Sequence, residues 1–289
     1  MRVPWRDRQG RFLPLKAAVL ASAFVPGLFY LWWWVAGLLG GRPLTEVIHG
    51  TGDWAIRFLL ISLAVTPFAR VADWPRLLTV RRITGVTAVA YAMLHLLFYI
   101  ADQKFNLLVV GWEIAARFYL TIGFIGLLGL IALGVTSTDN AMKRLGRRWK
   151  QLHRLAYPIG VLTLLHFYIQ TKANVAEPVF VSGLFVWLMA WRLVPMARRP
   201  AIATLFALVP VTALLTAALE FAWYGIATRI DPFRILNANW NPNFFPRPMH
   251  WAAGVALAAA IAITIRKQWF PALNARSVRG SGGERLGTP

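Results

Sequence analysis

Eight apolar runs constrain the fold of this chain more than any other feature of its sequence. Most of them approach the roughly 20 residues that a helix needs to cross the hydrocarbon core of a bilayer. Because lipid offers the backbone no hydrogen-bond partners, segments of this kind cross a membrane as α-helices. The sequence therefore predicts an all-α integral membrane protein, a polytopic bundle of about eight transmembrane helices. The predicted spans are Leu15–Leu39, Trp54–Ala69, Ile83–Ile100, Phe118–Val135, Leu155–Ile169, Val179–Leu193, Ala201–Ala227 and Trp251–Ile265.

The basic residues predict the orientation of this bundle. The chain has 31 Lys and Arg against 11 Asp and Glu, a net charge of +20, which by itself would suit a nucleic-acid partner. The basic residues instead cluster in alternate connections between the apolar runs, with 23 on one side and 8 on the other. Clusters of this kind mark the cytoplasmic side and bind lipid headgroups. We expect both termini in the cytoplasm, contact with membrane lipid and no nucleic-acid partner.

Three histidines lie in or beside predicted spans, where an imidazole is costly and marks function. His95 and His166 lie at similar depth, in the outer halves of the third and fifth spans. Two imidazoles at matched depth on facing helices can bind a haem from both faces as axial ligands. The alternatives are an interhelical hydrogen bond by each histidine, or a proton relay. The chain contains no Cys, which excludes thiolate-ligated haem, iron–sulfur clusters and Cys-based zinc sites.

The third histidine, His153, lies at the cytoplasmic end of the fifth span, within the basic segment Lys143–Arg154. On one straight helix it would lie about 20 Å from His166 and point about 140° away from it. His153 is then either an interface residue or a ligand in a second cofactor site. The basic segment is either a topogenic, headgroup-binding stretch or a dock for haem propionates or a flavin phosphate. His49 and His250 are expected at the surface, in or beside outer loops.

Three segments of the chain resemble a known family. They are Thr51–Arg70, Arg81–Leu96 and Thr136–Tyr168, the last of which contains the elements TST, LGRRW and LHRL. They resemble the haem-binding membrane subunits of protein-methionine-sulfoxide reductase systems, within the wider ferric-reductase-like transmembrane family. The resemblance implies haem b, one group or two, and a flavin mononucleotide as a further cofactor. It places the metal ligands at His95, His166 and His153, with further cofactor contacts expected at Arg82 and Arg148.

The same resemblance implies an electron-transfer subunit whose partner performs the catalysis. That partner would be a periplasmic molybdopterin enzyme that reduces methionine sulfoxide in oxidised proteins, and the location would be the bacterial inner membrane. The sequence has no GxGxxG motif after a strand and no phosphate-binding loop, so electrons are expected from the quinol pool or a cytoplasmic flavin reductase. The alternatives are another cytochrome b subunit or a ferric reductase and, from a different class, a membrane transporter with a His-lined polar path.

The chain is longer than the resemblance requires. Residues 1–199 are expected to form the six-helix ferric-reductase-like domain, and residues 200–289 a two-helix C-terminal extension with a disordered tail from Asn274. The wider family pattern has two histidines on each of two helices. Here the third span carries His95 alone, and Arg81 and Arg82 occupy the place of the second histidine.

Overall fold

The computed structural model describes Trp5, Gly10–Lys172 and Asn174–Trp269, and most of these residues are helical. Seven of the described helices are long and apolar enough to cross a membrane, which confirms the predicted all-α polytopic membrane fold. The helices within the described residues are α1 (Pro14–Val35), α2 (Pro43–Val71), α3 (Arg81–Asp102), α4 (Leu107–Ala116), α5 (Phe118–Val135), α6 (Asp139–Leu145), α7 (Arg147–His153), α8 (Ala156–Thr171), α9 (Ala176–Leu193), α10 (Ile202–Ala227), α11 (Pro232–Ala238) and α12 (Pro248–Trp269).

The predicted span ends lie within four residues of the observed helix ends except at the start of the second span. The helix α2 begins at Pro43 and is 29 residues long, so most of the predicted outer loop before Trp54 is helical. The predicted span Leu155–Ile169 corresponds to α8, which has 16 residues and is shorter than the roughly 20 that a full crossing requires. A ten-residue apolar helix, α4, also occupies most of the connection between α3 and α5.

The chain divides into two compact units. The first contains residues 1–63 and 79–178, and the second contains residues 64–78 and 179–289, so α2 and α9 each contribute to both. The second unit thus takes in most of α9 in addition to the two helices of the predicted C-terminal extension. The division into a 1–199 domain and a 200–289 extension remains a prediction about domains, and the predicted disordered tail lies outside the described residues.

In the first unit, α5 and α8 pack as an antiparallel pair whose contacts run through glycines. An added Cβ would lie 2.7 Å from His166 at Gly123 and 2.7 Å from Ile159 at Gly129. At Gly126, between them, it would lie 3.2 Å from Thr163. Because small residues allow two backbones to approach closely, this stripe brings α8 against α5 along three successive turns.

A tyrosine joins α1 to α3 at a weak point of α1. Pro26 lies inside α1, and a proline ring clashes with the carbonyl of the preceding turn and opens the helix. The Tyr91 hydroxyl of α3 donates to the Ala23 carbonyl and accepts from the Gly27 N–H, both at 2.9 Å. Tyr91 therefore bridges a donor and an acceptor that lie one turn apart in α1.

Two breaks separate α6, α7 and α8. Gly146 lies between α6 and α7 with φ 50° and ψ −119°, a backbone conformation that strains residues with a Cβ. The turn Arg154–Leu155 then separates α7 from α8. His153 and His166 therefore lie on different helices, so the distance and angle expected for one straight helix do not apply to them.

The second unit is organised by α10 and α12. Gly183 of α9 lies where these helices meet, since a Cβ there would be 2.9 Å from the Ala252 side chain of α12. Near the end of α10, the buried Glu220 carboxylate accepts from Arg247 at 2.6 Å and from Asn239 at 3.1 Å. Arg247 also donates to Asn239 at 3.2 Å, so the three side chains form a closed hydrogen-bonded triangle.

Candidate functional site

The first unit contains a cavity of about 330 Å³ lined by α2, α3, α4, α5, α8 and the start of α9. Its volume lies within the range of small-molecule and cofactor sites. His95 of α3 and His166 of α8 both line it. Their ring centroids are 6.2 Å apart and their planes are nearly perpendicular, at 83°. The structure thus brings together the two histidines that the sequence placed at matched depth.

Each of these imidazoles is hydrogen-bonded at one nitrogen to a backbone carbonyl. The His95 Nδ1 lies 2.7 Å from the Ile48 oxygen of α2, and the His166 Nδ1 lies 2.7 Å from the Tyr119 oxygen of α5. A carbonyl only accepts, so Nδ1 carries the proton in both rings and Nε2 holds the lone pair. Neither Nε2 forms a hydrogen bond with the part of the chain that the structure describes. The Nε2 atom of each ring is therefore available to bind a metal ion.

A glycine lies against each of the two rings. A Cβ at Gly52 would lie 3.0 Å from the His95 Nδ1, and a Cβ at Gly123 would lie 2.7 Å from the His166 Nδ1. Real Cβ atoms essentially never approach to less than 3.0 Å, and contacts up to 3.4 Å are tight. The His166 imidazole consequently fills space that a Cβ at Gly123 would block, and a Cβ at Gly52 would make a tight contact with the His95 imidazole.

The remaining lining changes from apolar to polar along the cavity. Leu59, Leu127 and Leu130 belong to the apolar wall. The polar side chains belong to α2, α3, α5, α8 and α9 and include His49, Asp53, Tyr99, Tyr119, Gln170 and Glu177. An apolar enclosure with a few convergent polar groups is the usual form of a cofactor pocket.

The acidic lining residue Asp53 was not singled out from the sequence, because the predicted second span begins after it. The structure places it inside α2, directly after the glycine that contacts His95. A signal was present in the spacing of His49, Asp53 and Arg57, which repeats every four residues and puts them on one helix face. His49 lines the cavity although much of its surface is exposed, while His250, on α12, is half-buried.

Ion pairs and hydrogen bonds hold two parts of the polar lining. Arg57 forms an ion pair with Glu177, and both side chains are half-exposed. Elsewhere the Tyr99 hydroxyl donates to Glu113 of α4, and Arg117 donates to the same carboxylate at 2.7 Å. These contacts tie α4 to the end of α3 beside the lining residues Tyr99 and Ile114.

His153, Arg82 and Arg148 lie outside the set of cavity-lining residues that the structure describes. His153 stacks on Trp149, with ring centroids 3.9 Å apart, and its Nε2 lies 3.3 Å from the Ser137 hydroxyl. Arg82 forms an ion pair with Asp139, two residues from Ser137. His153 and Arg82 thus both contact the turn after α5, at Ser137 and Asp139, and form a second polar group there.

Burial lowers the pKa of the His153 imidazole below its ordinary value, and the Arg81 guanidinium acts in the same direction. The hydrogen bond to the Trp149 carbonyl opposes this shift. His153 is therefore biased toward the neutral form, the form in which an imidazole can act as a ligand. Arg148, in contrast, is exposed on α7.

The paired imidazoles define what this site can hold. The described residues contain no group of three or more His, Cys, Asp or Glu side chains placed to bind a metal ion. An imidazole nitrogen lies about 2 Å from a bound transition metal, so rings 6.2 Å apart leave space for one metal ion between them. The arrangement suits a metal whose remaining ligands come from a bound cofactor.

The fold and the site assign this chain to the polytopic helical membrane proteins that have a pair of histidines in a cavity within the helix bundle. Comparison with protein families agrees, since residues 51–164 match the ferric reductase like transmembrane component. That stretch includes His95 and ends two residues before His166.

Curated relatives identify the family. The protein-methionine-sulfoxide reductase heme-binding subunit MsrQ of Rhodospirillum rubrum is 41% identical over 196 residues, which are 67% of this chain and 92% of that protein. The proteins of the same name from Caulobacter vibrioides and Xanthomonas oryzae pv. oryzae are each 40% identical, over 60% and 61% of this chain and 84% of each relative. The chain belongs to the MsrQ family. No solved structure matches it.

Proposed function

We propose that this protein is a haem-binding membrane electron-transfer subunit of a protein-methionine-sulfoxide reductase system. The observation that carries the proposal is the pair His95 and His166, whose rings line one cavity 6.2 Å apart with Nδ1 engaged. The relatives are named heme-binding subunits of such a reductase, which supports the assignment of the cofactor and of the system.

The residues of the cavity fit haem b. His95 and His166 would hold it through their Nε2 atoms, since neutral imidazole is a common ligand of haem iron. Haem in this form supplies one-electron transfer without binding substrate. The chain is then a conduit for electrons, and the reduction of methionine sulfoxide takes place on a partner.

The protein groups around the pair would set the properties of the bound haem. The carbonyls of Ile48 and Tyr119 hold the proton on each Nδ1, which raises the basicity of Nε2 and fixes the ring orientation. The leucines of the wall exclude water and lower the local dielectric. Asp53 of α2 and Tyr99 of α3 add polar groups to the lining of the cavity.

The distribution of basic residues supports a direction for electron flow. With the basic connections in the cytoplasm, α3 runs outward and its residue His95 lies in the outer half of the bilayer. Electrons would be taken up from the quinol pool or from a cytoplasmic flavin reductase. They would leave on the outer side of a bacterial inner membrane, toward a periplasmic molybdopterin methionine-sulfoxide reductase.

The group around His153 would serve a second cofactor on the inner side. Arg82, which pairs with Asp139 beside this group, and the exposed Arg148 of α7 are suited to an anionic group such as a propionate or the phosphate of flavin mononucleotide. A second haem or a flavin there would divide the roughly 30 Å of hydrocarbon into shorter transfer steps. His153 is the ligand or contact, and Arg82 and Arg148 are the cofactor-binding residues of this site.

Absorption and EPR spectra of the purified membrane protein test the main proposal. We expect the spectra of a low-spin, six-coordinate haem, and we expect His95→Ala and His166→Ala each to remove most of that signal. His250→Gln is the matched control, because His250 lies in the second unit and should leave haem content unchanged. Normal spectra and haem content in both alanine variants would overturn the assignment of the two ligands.

Reconstitution tests the reductase system. The reduced protein should be reoxidised by a periplasmic molybdopterin methionine-sulfoxide reductase together with a methionine-sulfoxide substrate, and not by the substrate alone. Rapid reoxidation by ferric chelates, with no reaction toward the reductase, would instead assign the chain to the ferric reductases. If the purified wild-type protein contains no haem, the assignment as a membrane transporter would be favoured instead.

A further inference from the structure

The same local arrangement occurs twice around the cavity. On α2, Gly52 follows Ile48 by one helical turn, and His95 donates to the Ile48 carbonyl and lies against Gly52. On α5, Gly123 follows Tyr119 by one turn, and His166 makes the same two contacts there. The residues Tyr119, Gly123 and His166 each lie 71 positions after Ile48, Gly52 and His95, respectively. In both arrangements the histidine lies 43 residues after the glycine.

Helix geometry explains why glycine occurs at this position. A carbonyl in an α-helix accepts from the N–H four residues later, which leaves its second lone pair open to another donor. The side chain of that later residue lies beside the open lone pair, since a Cβ at Gly123 would be 2.7 Å from the His166 Nδ1. An imidazole can reach the carbonyl at 2.7 Å because the Cβ is absent.

We propose that Gly52 and Gly123 are positioning residues that set the orientation and the proton position of the two axial imidazoles. This inference rests on the proposed haem-binding function and extends it to two cavity-lining residues that supply no ligand to the metal. Each glycine admits one ring to the carbonyl one turn earlier, which keeps the proton on Nδ1 and the lone pair on Nε2. The two glycines thereby hold the rings nearly perpendicular, at 83°.

The experiment replaces four glycines by alanine, one at a time. Two of them lie against a histidine ring, and the two controls lie against other side chains. For α5 the variant is Gly123→Ala and its control is Gly129→Ala, because both Cβ atoms would lie 2.7 Å from a side chain of α8. The control contacts Ile159 in place of a histidine. For the pair α2 and α3, the variant is Gly52→Ala and its control is Gly85→Ala, which would meet the Ser62 hydroxyl at 3.3 Å.

The readouts are EPR of the oxidised protein, the haem midpoint potential and haem affinity in detergent, none of which requires turnover. EPR of a low-spin ferric haem reports the angle between its two axial imidazole planes. Gly123→Ala should change this spectrum and weaken haem binding about tenfold, the lower end of the effect of losing an outer hydrogen-bond partner. Its potential should become more positive, because a less basic ligand stabilises ferric iron less.

The order of the effects gives a second test. Gly52→Ala should act in the same direction but more weakly, because its Cβ would lie 3.0 Å from the ring nitrogen instead of 2.7 Å. Gly129→Ala and Gly85→Ala should keep the wild-type EPR spectrum and potential. If Gly123→Ala fails to fold, the milder Gly52→Ala decides the question with its own control.

Two results would overturn the positioning role. One is an unchanged EPR spectrum and potential in a folded Gly52→Ala or Gly123→Ala protein. The other is an equal change in a control variant, which would assign the effect to general distortion of the helix pair. A wild-type protein without low-spin haem would instead refute the proposed function, so the two failures are distinguishable.

Discussion

Replacing Arg247 by leucine should destabilise the second unit strongly. The Glu220 side chain is 3% exposed and that of Arg247 is 18% exposed, so their ion pair is largely shielded from water. Removal of the arginine leaves a buried carboxylate with Asn239 as its remaining side-chain partner in the described part of the chain. Loss of one partner from a buried ion pair costs about 3–5 kcal/mol of the free energy of unfolding.

The structure favours the lower end of that range. The Asn239 amide continues to donate to Glu220, and the partial exposure of Arg247 allows water to reach the vacated space. We therefore expect a loss of about 3 kcal/mol for Arg247→Leu. The double variant Glu220→Gln with Arg247→Leu should recover part of it, because no charge is then left buried. The resulting coupling energy should lie within about 0.5–3 kcal/mol.

Chemical unfolding in mixed micelles measures these differences. The matched control is Glu177→Gln, which breaks the ion pair between Glu177 and Arg57. The Arg57 side chain is 32% exposed and that of Glu177 is 43% exposed. An exposed pair contributes at most about 1 kcal/mol. A cost for Arg247→Leu no larger than that of the control, or a double variant as unstable as the sum of the single ones, would refute the reasoning from burial.

Three further predictions concern topology, the inner site and the packing of α1. Reporter fusions after Arg199 and after Lys267 should both report the cytoplasm, and a periplasmic signal at either would contradict the orientation inferred from charge. His153→Ala should slow reduction of the protein by its donor while the outer haem spectrum persists; unchanged reduction kinetics and cofactor content would make His153 an interface residue. Tyr91→Phe should lower the free energy of unfolding by about 1–3 kcal/mol in the same assay, because the Gly27 N–H and the Ala23 carbonyl lose their bridging hydroxyl. A variant as stable as the wild-type protein would show that water replaces the hydroxyl.

The helical fold could be predicted from the sequence because hydropathy acts locally. A run such as Phe118–Val135 is apolar throughout and has no alternative in lipid but a helix, and the structure gives α5 the same bounds. Hydropathy does not report where a helix continues beyond the apolar core. The start of α2 at Pro43 was missed for this reason, because Glu46, His49 and Asp53 are polar although helical.

The two helix breaks in and after the basic segment were not predicted, although a glycine or a proline accompanies each of them. A signal for the turn at Arg154 and Leu155 was present in Pro158, which has no N–H and whose ring clashes with the carbonyl four residues earlier, that of Arg154. The turn accompanies tertiary contacts, since Trp149 donates to the Thr136 carbonyl at 2.9 Å and His153 meets Ser137. Contacts between residues 13 to 16 positions apart leave no periodic signal in a single sequence.

The candidate site shows which part of a cofactor pocket a single sequence can supply. Matched depth identified His95 and His166, because an imidazole in hydrocarbon is rare enough to stand out. The groups that orient the rings did not stand out, since backbone carbonyls carry no sequence signal and glycine is common in membrane helices. Their signal is the repetition itself, a glycine 43 residues before each histidine on antiparallel helix pairs. On the proposed function each helix pair would supply one oriented imidazole to the same cofactor, so Gly52 and Gly123 would belong to the site together with His95 and His166.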